Sequence, residues 1–430
     1  MRSAFLGSAE SERTVSDVEG RTYVLTEELA GGGQGTVHRT RQRNELVKLF
    51  HSDGALRSAS IRRVRRMPLT GLSVTAPMSV LEHDAGYVMR FQGDMAEIAC
   101  LQLKGRRTHP KDSWVDTGGL GRRLLLATRV ALVIEQLHSL GLVYGDLNPG
   151  NVMISADAEF DVVTLIDLDN LEYVGAHEGP AFYFPFFGAP ELATGQASPS
   201  FATDTFSLAV LMFQMITAVQ PFSDGGAVRE MMPKSPEFDA ARRCLVPSVI
   251  DPEDNSNSCP RYPVHVPEHL MSPRLLDTLS VALGSGRSTP HLRPSAAALR
   301  AAAFQAWSEC ITCEDCGWTY LHSRTPKCPD CSSKSPTVEV GIGFPAVPTP
   351  MHRFRVGTGT RTIDLALAFP SLALRATVPG QFLIRLGARQ GSVRAKADHE
   401  DRVRMPPLLK HGDQFEVAGL GELTVTVGRA

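Results

Sequence analysis

The sequence predicts an α+β protein of three unlike parts, and three observations carry that prediction. A helix-like run from Leu124 to Leu140 leads into the loop Val143-Tyr144-Gly145-Asp146-Leu147-Asn148-Pro149-Gly150-Asn151-Val152. That loop sets an Asp and an Asn five residues apart, just before the apolar triplet Val152 to Ile154. Two C-x-x-C pairs, Cys313/Cys316 and Cys328/Cys331, come later with eleven residues between them. From Arg353 onward the pattern changes to short alternating apolar runs separated by turn residues.

The bulk composition narrows the function classes. At 430 residues the chain can hold two to four domains, and 43% hydrophobic with 21% charged residues fits soluble globular protein. A net charge of −2 makes no general case for nucleic acid or a membrane surface as a partner. No apolar run approaches the ~18 residues of a membrane span, and Met1 to Glu12 lacks the basic region and apolar core of a signal peptide. A cytoplasmic location is therefore expected. Of eight Cys, five lie between Cys310 and Cys331, a clustering that favours metal over disulfides in such a compartment.

In chain order, residues 1 to 17 are small and polar and predict a flexible tail. The strand-like Tyr23-Val24-Leu25 leads to a glycine cluster, Gly31-Gly32-Gly33-Gln34-Gly35, and then to the alternating strand Leu46-Val47-Lys48-Leu49-Phe50. A helix over Leu56 to Met67 follows, carrying Arg57, Arg62, Arg63, Arg65 and Arg66 and no Glu. It reads as a solvated face or as a docking surface for an acidic or phosphorylated partner. Met78 to Leu81 and Tyr87 to Phe91 predict a hairpin. Residues 94 to 122 read as irregular, with a basic stretch from Lys104 to Lys111. The helix before the loop has apolar residues at 126, 130, 133, 134 and 137, the spacing of a buried face. After it, Val162 to Ile166 predicts a strand ending in Asp167, so two strand ends deliver Asp146, Asn151 and Asp167.

These segments, in this order, resemble the protein-kinase superfamily, and specifically bacterial kinases with a Y/H-G-D-L-x-P-x-N catalytic loop. The resemblance covers roughly Thr22 to Ala303 and implies a bilobal domain over 18–305. It implies Asp146 as the catalytic base, Asn151 and Asp167 as Mg²⁺ ligands, and Lys48 as the strand lysine that pairs with the α- and β-phosphates of ATP. The glycine-rich loop falls on Ala30, Gly32 and Gly35, with Gly33 keeping the turn mobile and Val37 closing the motif. Met89 to Gly93 matches the hinge that binds adenine, making Met89 and Phe91 cofactor-site candidates. Ala189-Pro190-Glu191, Asp204 and Arg293-Pro294-Ser295 match further markers, and the resemblance implies a partly buried Glu191–Arg293 pair and an Asp204 that braces the catalytic loop.

The chain departs from the family at several points. The helix that should hold Lys48 with a Glu has none, and Asp53 is the only acid between Glu45 and Glu82. Tyr144 and Gly145 replace the family's His and Arg, so activation through a phosphorylated loop is not expected. Asp167-Leu168-Asp169 stands where D-F-G is usual. Asp169 reads as a second ligand or a solvated turn residue, and the latter is favoured. His138 reads as a capping or packing residue.

Over 308–335, Cys313, Cys316, Cys328 and Cys331 predict a closed structural Zn²⁺ ribbon, with Cys310 a spare thiol. The ribbon is expected to unfold without the kinase lobes when Zn²⁺ is removed. Residues 336–350 read as a linker. Residues 351–430 predict a small all-β, sandwich-like domain from Phe354/Val356, Phe382/Ile384/Leu386, Phe415/Val417 and Leu423/Val425/Val427, with turns at Pro379-Gly380 and His411-Gly412-Asp413. Its end, Leu408 to Val427, is similar to the last strands of a forkhead-associated phosphothreonine reader. A kinase followed by a zinc ribbon also resembles kinases of bacterial tellurite-resistance-type stress systems. The resemblance implies transfer of the ATP γ-phosphoryl group to a protein Ser/Thr hydroxyl. The rival reading, resting on the departures, is a pseudokinase scaffold that binds nucleotide or partners without transfer.

Overall fold

The computed structural model describes residues 13–51, 54–103, 109–179, 181–231, 233–343, 351–357, 361–369, 383–389, 392–397, 408–417 and 421–427. Residues 104–108 of the basic stretch, Pro379-Gly380 and Phe382 lie outside them. The chain divides into two compact units, one formed by residues up to 95 with 164–172, the other by 96–163 and the rest of the chain.

Among the described residues, the first unit is an antiparallel six-stranded sheet with one α-helix. Its strands are β1 (Thr14–Ser16), β2 (Thr22–Gly32), β3 (Gly35–Thr40), β4 (Glu45–Phe50), β5 (Ser79–Val80) and β6 (Gly86–Arg90), in the order β1-β2-β3-β4-β6-β5, with α1 (Gly54–Val64) between β4 and β5. Because side chains alternate along a strand, Val47 and Leu49 join Val15, Tyr23 and Val88 in one core. Leu46 faces the other way, into a core with Ile61 of α1, Val80, Tyr87 and Met89. The expected tail ends too late: Thr14–Ser16 pairs with Thr22–Val24, and Val15 is buried. A three-residue strand with one buried side chain is too short for periodicity to reveal.

The second unit is helical at its centre. In chain order it contains β7 (Met95–Glu97), α2 (Pro110–Asp116), α3 (Gly119–Ser139), β8 (Leu142–Val143), β9 (Val152–Ser155), β10 (Val163–Leu165, its last two residues in the first unit) and β11 (Glu172–Tyr173, its first residue likewise). Helices α4 (Pro190–Ala193), α5 (Phe201–Thr217), α6 (Gly226–Arg229), α7 (Pro236–Arg242), α8 (Pro267–Leu270), α9 (Pro273–Leu283), α10 (Ser285–Ser288) and α11 (Ala296–Glu309) follow. Helix α3 packs on α5 and α11, burying Leu126, Val130, Val133, Ile134 and Leu137 as the spacing predicts. It begins earlier than predicted because two arginines in its first turns are buried. Arg122 donates to the Ser155 carbonyl at 2.6 Å. Arg123 donates to the carbonyls of Met215 and Leu101 and lies 4.1 Å over the Trp114 ring. The region 94–122, expected to be irregular, thus includes α2, whose Trp114 supplies that ring.

The ribbon is not an independent appendage. Strands β12 (Cys310–Thr312) and β13 (Thr319–Leu321) continue directly from α11, and Thr319 Oγ1 accepts from the Leu120 amide at 2.6 Å. Lys111 of α2 pairs with Asp330 at 2.7 Å. Nor is 336–350 wholly a linker. Val338–Gly343 forms β14, an inner strand of the sheet β15-β14-β21-β20, where β15 is His352–Val356, β20 Gln414–Val417 and β21 Gly421–Val427. Its Val-x-Val-x-Ile alternation buries Val338, Val340 and Ile342 against Phe354 and Val425. A second sheet joins β16 (Arg361–Asp364), β17 (Leu383–Arg389), β18 (Ser392–Ala397) and β19 (Leu408–Leu409), with a short helix α12 (Leu365–Ala368) after β16. Arg361 ties this region to α11. Its guanidinium lies 4.2 Å over Trp307 and donates to the carbonyls of Trp307, Ser308 at 3.2 Å and Cys310 at 2.8 Å, satisfying the open end of α11.

The Glu191–Arg293 pair forms as expected, bidentate at 2.6 and 2.8 Å, with the Arg293 side chain 1% exposed and also bonded to the Gly286 and Ala202 carbonyls. Arg293→Met strands the Glu191 carboxylate and is expected to cost about 3–5 kcal/mol. Urea unfolding followed by circular dichroism checks it.

Candidate active site

The glycine-rich hairpin closes between β2 and β3 at Gly33-Gln34. Its glycines serve different ends. A Cβ on Gly35 would sit 2.2 Å from the Leu49 carbonyl, so the close passage of β4 excludes any side chain there, whereas Gly32 and Gly33 have open space around them. Val37 packs partly buried against the core around Leu46 and Met89. Met89 itself is buried in β6 opposite Leu46, and Phe91 is partly buried beneath the Arg39 guanidinium at 4.4 Å.

Lys48 leaves β4 on the same face as Leu46, and its side chain is 7% exposed. A buried ammonium needs a counter-ion, and two carboxylates supply it. Nζ donates to Asp167 Oδ1 at 2.6 Å and to Asp169 Oδ2 at 2.5 Å. Burial opposes the charge, but Asp167 and Asp169 outweigh it and raise the Lys48 pKa. Both acids come from one turn. Asp167 adopts a left-handed conformation (φ 56°, ψ 68°) at the head of the 3-10 turn Leu168–Asn170. Asp169 is not a solvated turn residue, as was favoured. Its side chain is 3% exposed. Burial and then the neighbouring Asp167 charge push its carboxyl up to about 7 against the pull of Lys48. Helix α1 reaches this turn through Ser60, whose hydroxyl donates to the Asp169 carbonyl at 3.1 Å.

Helix α1 ends at Val64, short of the expected Met67, and the basic residues on it and in the turn after it are partly used within their own unit. Arg57 donates to Gln34 Oε1 at 3.1 Å, and Arg65 pairs with Glu19 at 3.0 Å. Arg62, Arg63 and Arg66 are exposed.

In the second unit, the loop between β8 and β9 holds Asp146 by its neighbours. Asn151 Nδ2 donates to Asp146 Oδ2 at 3.0 Å and Asn148 Nδ2 donates to Oδ1 at 3.0 Å, so both carboxylate oxygens are fixed. Asn148 is buried and was not singled out from the sequence, where Asn before Pro looks like ordinary turn chemistry. Asp146 lines a small cleft with Tyr183, Phe184, Gly188 and Ser207. Beneath the loop, Asp204 at the start of α5 accepts from the amides of Tyr144 at 2.7 Å and Gly145 at 2.9 Å and from His138 Nε2 at 3.1 Å. Asp204 is thus the brace that the resemblance implied, and His138, its ring centroid 4.5 Å from that of Phe201 and tilted against it, has a packing role.

The four predicted ligands Cys313, Cys316, Cys328 and Cys331 converge, their sulfurs all within 4.8 Å of one another. Four thiols at that spacing suit a closed tetrahedral metal site. The Ser333 hydroxyl and amide lower the Cys331 thiol to about 6, favouring the thiolate. Cys310 stands apart, buried in β12.

Replacing Asp204 by Ala removes the acceptor for the buried Tyr144 amide and the part-buried Gly145 amide. We expect a stability loss of about 1–3 kcal/mol and faster hydrogen exchange at Tyr144 and Gly145, read by mass spectrometry.

Residues 122–299 match the protein kinase domain family. The chain is 28% identical over 236 residues to the serine/threonine-protein kinase PknA of Mycobacterium tuberculosis, covering 52% of each protein. It is 25% identical over 259 residues to the serine/threonine-protein kinase PkaA of Streptomyces coelicolor, covering 56% of this chain and 40% of that one. With the serine/threonine-protein kinase pkn2 of Myxococcus xanthus it shares 26% over 229 residues, 50% of this chain and 26% of the relative. The chain thus spans about half or less of the length of these relatives. Among the described residues, no helix is long and apolar enough to cross a membrane. The matched segment contains the braced Asp146 loop, Asp167 and the Glu191–Arg293 pair, and it is through this segment that the chain is similar to protein kinases.

Proposed function

We propose that this chain is a cytoplasmic, ATP-dependent protein Ser/Thr kinase in a bacterial signalling or stress system, with a structural Zn²⁺ ribbon. The single observation that carries the reading is the paired Lys48 beside Asp167, a buried cation set against a carboxylate that remains partly open at 27% exposure. Such a pair fits Mg·ATP: Lys48 suits phosphate oxygens and Asp167 suits the cation. The bound nucleotide and metal would supply the transferable γ-phosphoryl group and the charge that neutralises it. Gly32, Gly33 and Gly35 would let backbone amides approach phosphate, with Val37, Met89 and Phe91 lining the base side.

Asp146 takes the substrate side. Each of its oxygens accepts a side-chain amide proton, and a carboxylate oriented in this way suits the task of orienting a substrate hydroxyl and accepting its proton. Asn151 would serve both Asp146 and the metal. The substrate is a protein, entering the cleft beside Tyr183 and Phe184. The exposed Arg62, Arg63 and Arg66 suit an acidic or phosphorylated partner. The scaffold reading drew its support from the missing helix Glu, and Asp169 weakens it by giving Lys48 another counter-ion.

Wild type should transfer radiolabelled γ-phosphate from Mg·ATP to itself or to a protein substrate. Asp146→Ala and Asp167→Ala should each lower that rate at least ~100-fold. Wild type that binds ATP without transfer would favour the scaffold.

The ribbon should hold about one Zn²⁺ per chain. Since it packs on α2 and α3, its removal by a chelator should lower the thermal midpoint of the second unit as well as unfold the ribbon. Metal analysis with Cys313→Ser and Cys310→Ser checks the ligand set: the first should lose zinc and the second keep it.

A further inference from the structure

We infer that Asp169 is the positioning residue for Lys48, supplying from the metal-binding turn the carboxylate that helix α1 does not carry. The inference rests on the kinase reading above. Lys48 is too deeply buried to go without a counter-ion. The sequence offers no acid on α1, whose reach toward the site is the neutral Ser60 hydroxyl bonded to the Asp169 carbonyl. Of the two acids on Lys48, Asp167 is the more open and is the one a divalent cation would draw away, while Asp169 is 3% exposed and faces the ammonium. Asp169 is therefore the group that keeps Lys48 in place once Asp167 is engaged.

This arrangement alters how the site can be controlled. Where the carboxylate rides on a mobile helix, moving the helix breaks the pair. Here the lysine, its holder and the metal carboxylate lie on β4 and a single turn, and displacing α1 would break the Ser60 bond without removing the counter-ion. Before nucleotide binds, Lys48 bridges both acids, so Mg·ATP must displace Asp167 from it, and Asp169 limits how far the ammonium can then wander.

The test compares wild type with Asp169→Asn, Asp169→Glu, Lys48→Met and the double Asp169→Asn/Lys48→Met in the full chain. Readouts are kcat and KM for ATP, and binding of ATP and of adenosine. Losing one charge-assisted bond should lower kcat/KM for ATP about 10- to 100-fold in Asp169→Asn. Adenosine, which has no phosphate for Lys48 to hold, should bind as in wild type, and Asp169→Glu should recover part of the loss. In the Lys48→Met background Asp169→Asn should add little, because its effect acts through the lysine. Equal loss of ATP and adenosine binding, additive losses in the double variant, or unchanged ATP kinetics in Asp169→Asn would each overturn the inference. Wild type that binds ATP but transfers nothing would remove the kinase reading while the contrast between ATP and adenosine still decides the role of Asp169. Wild type that binds no ATP would overturn both.

Discussion

The ammonium of Lys48 is the constraint to which the first unit is fitted. It sits on an inner strand, nearly closed off from solvent, where an isolated charge would be costly. The fold meets that cost with two carboxylates from one turn, at 2.6 and 2.5 Å. For both to reach one amine, the chain must reverse sharply after β10, and the left-handed backbone of Asp167 provides that reversal. The turn is then held to α1 by a hydroxyl where an ion pair would be expected. Burial first, and then the neighbouring Asp167 charge, make Asp169 harder to ionise than an ordinary aspartate. Asp167 is the more exposed of the two, at 27% against 3%.

The second unit uses the complementary strategy. Its Asp146 is held by the side-chain amides of Asn148 and Asn151, one on each carboxylate oxygen. The loop that carries it has a left-handed Gly145, and the two amides at that bend would be unsatisfied if Asp204 did not accept both. Arg293 works in the same way farther down, joining Glu191 to two backbone carbonyls while stacked 4.8 Å over Phe206. Buried charges thus set the positions of the loops, and apolar helix faces set the frame around them.

The segments beyond the kinase domain are built on α3 and α11 instead of trailing from them. Thr319 reaches the first turn of α3, and Arg361 closes the last turn of α11 while resting on Trp307. The four-cysteine cluster of the ribbon is therefore linked mechanically to the helix that presents the Asp146 loop. This gives the ribbon a bracing role in the second unit whether or not it also binds a partner.

By itself the sequence determined the ordered motifs: Lys48 on its strand, the Asp146–Asn151 loop, Asp167 at a strand end and the four paired cysteines. Each of these is a local spacing or a residue type whose chemistry is specific, so it can be read without neighbours. The buried face of α3 was legible for the same reason, since its apolar residues recur at the helical period. What only the tertiary structure decided were the roles of polar residues that look solvated in isolation. Asp169, Arg122, Arg123 and Arg361 are all charged, and nothing along the chain announces that their partners come from distant strands and carbonyls. Short strands were missed for a related reason. Thr14–Ser16 has too few residues to display a period, and Val338–Gly343 is strand-like in pattern but became an inner strand only because β15 and β21 come to flank it. A counter-ion, like a strand partner, is a relation in space, and the chain must fold before it exists.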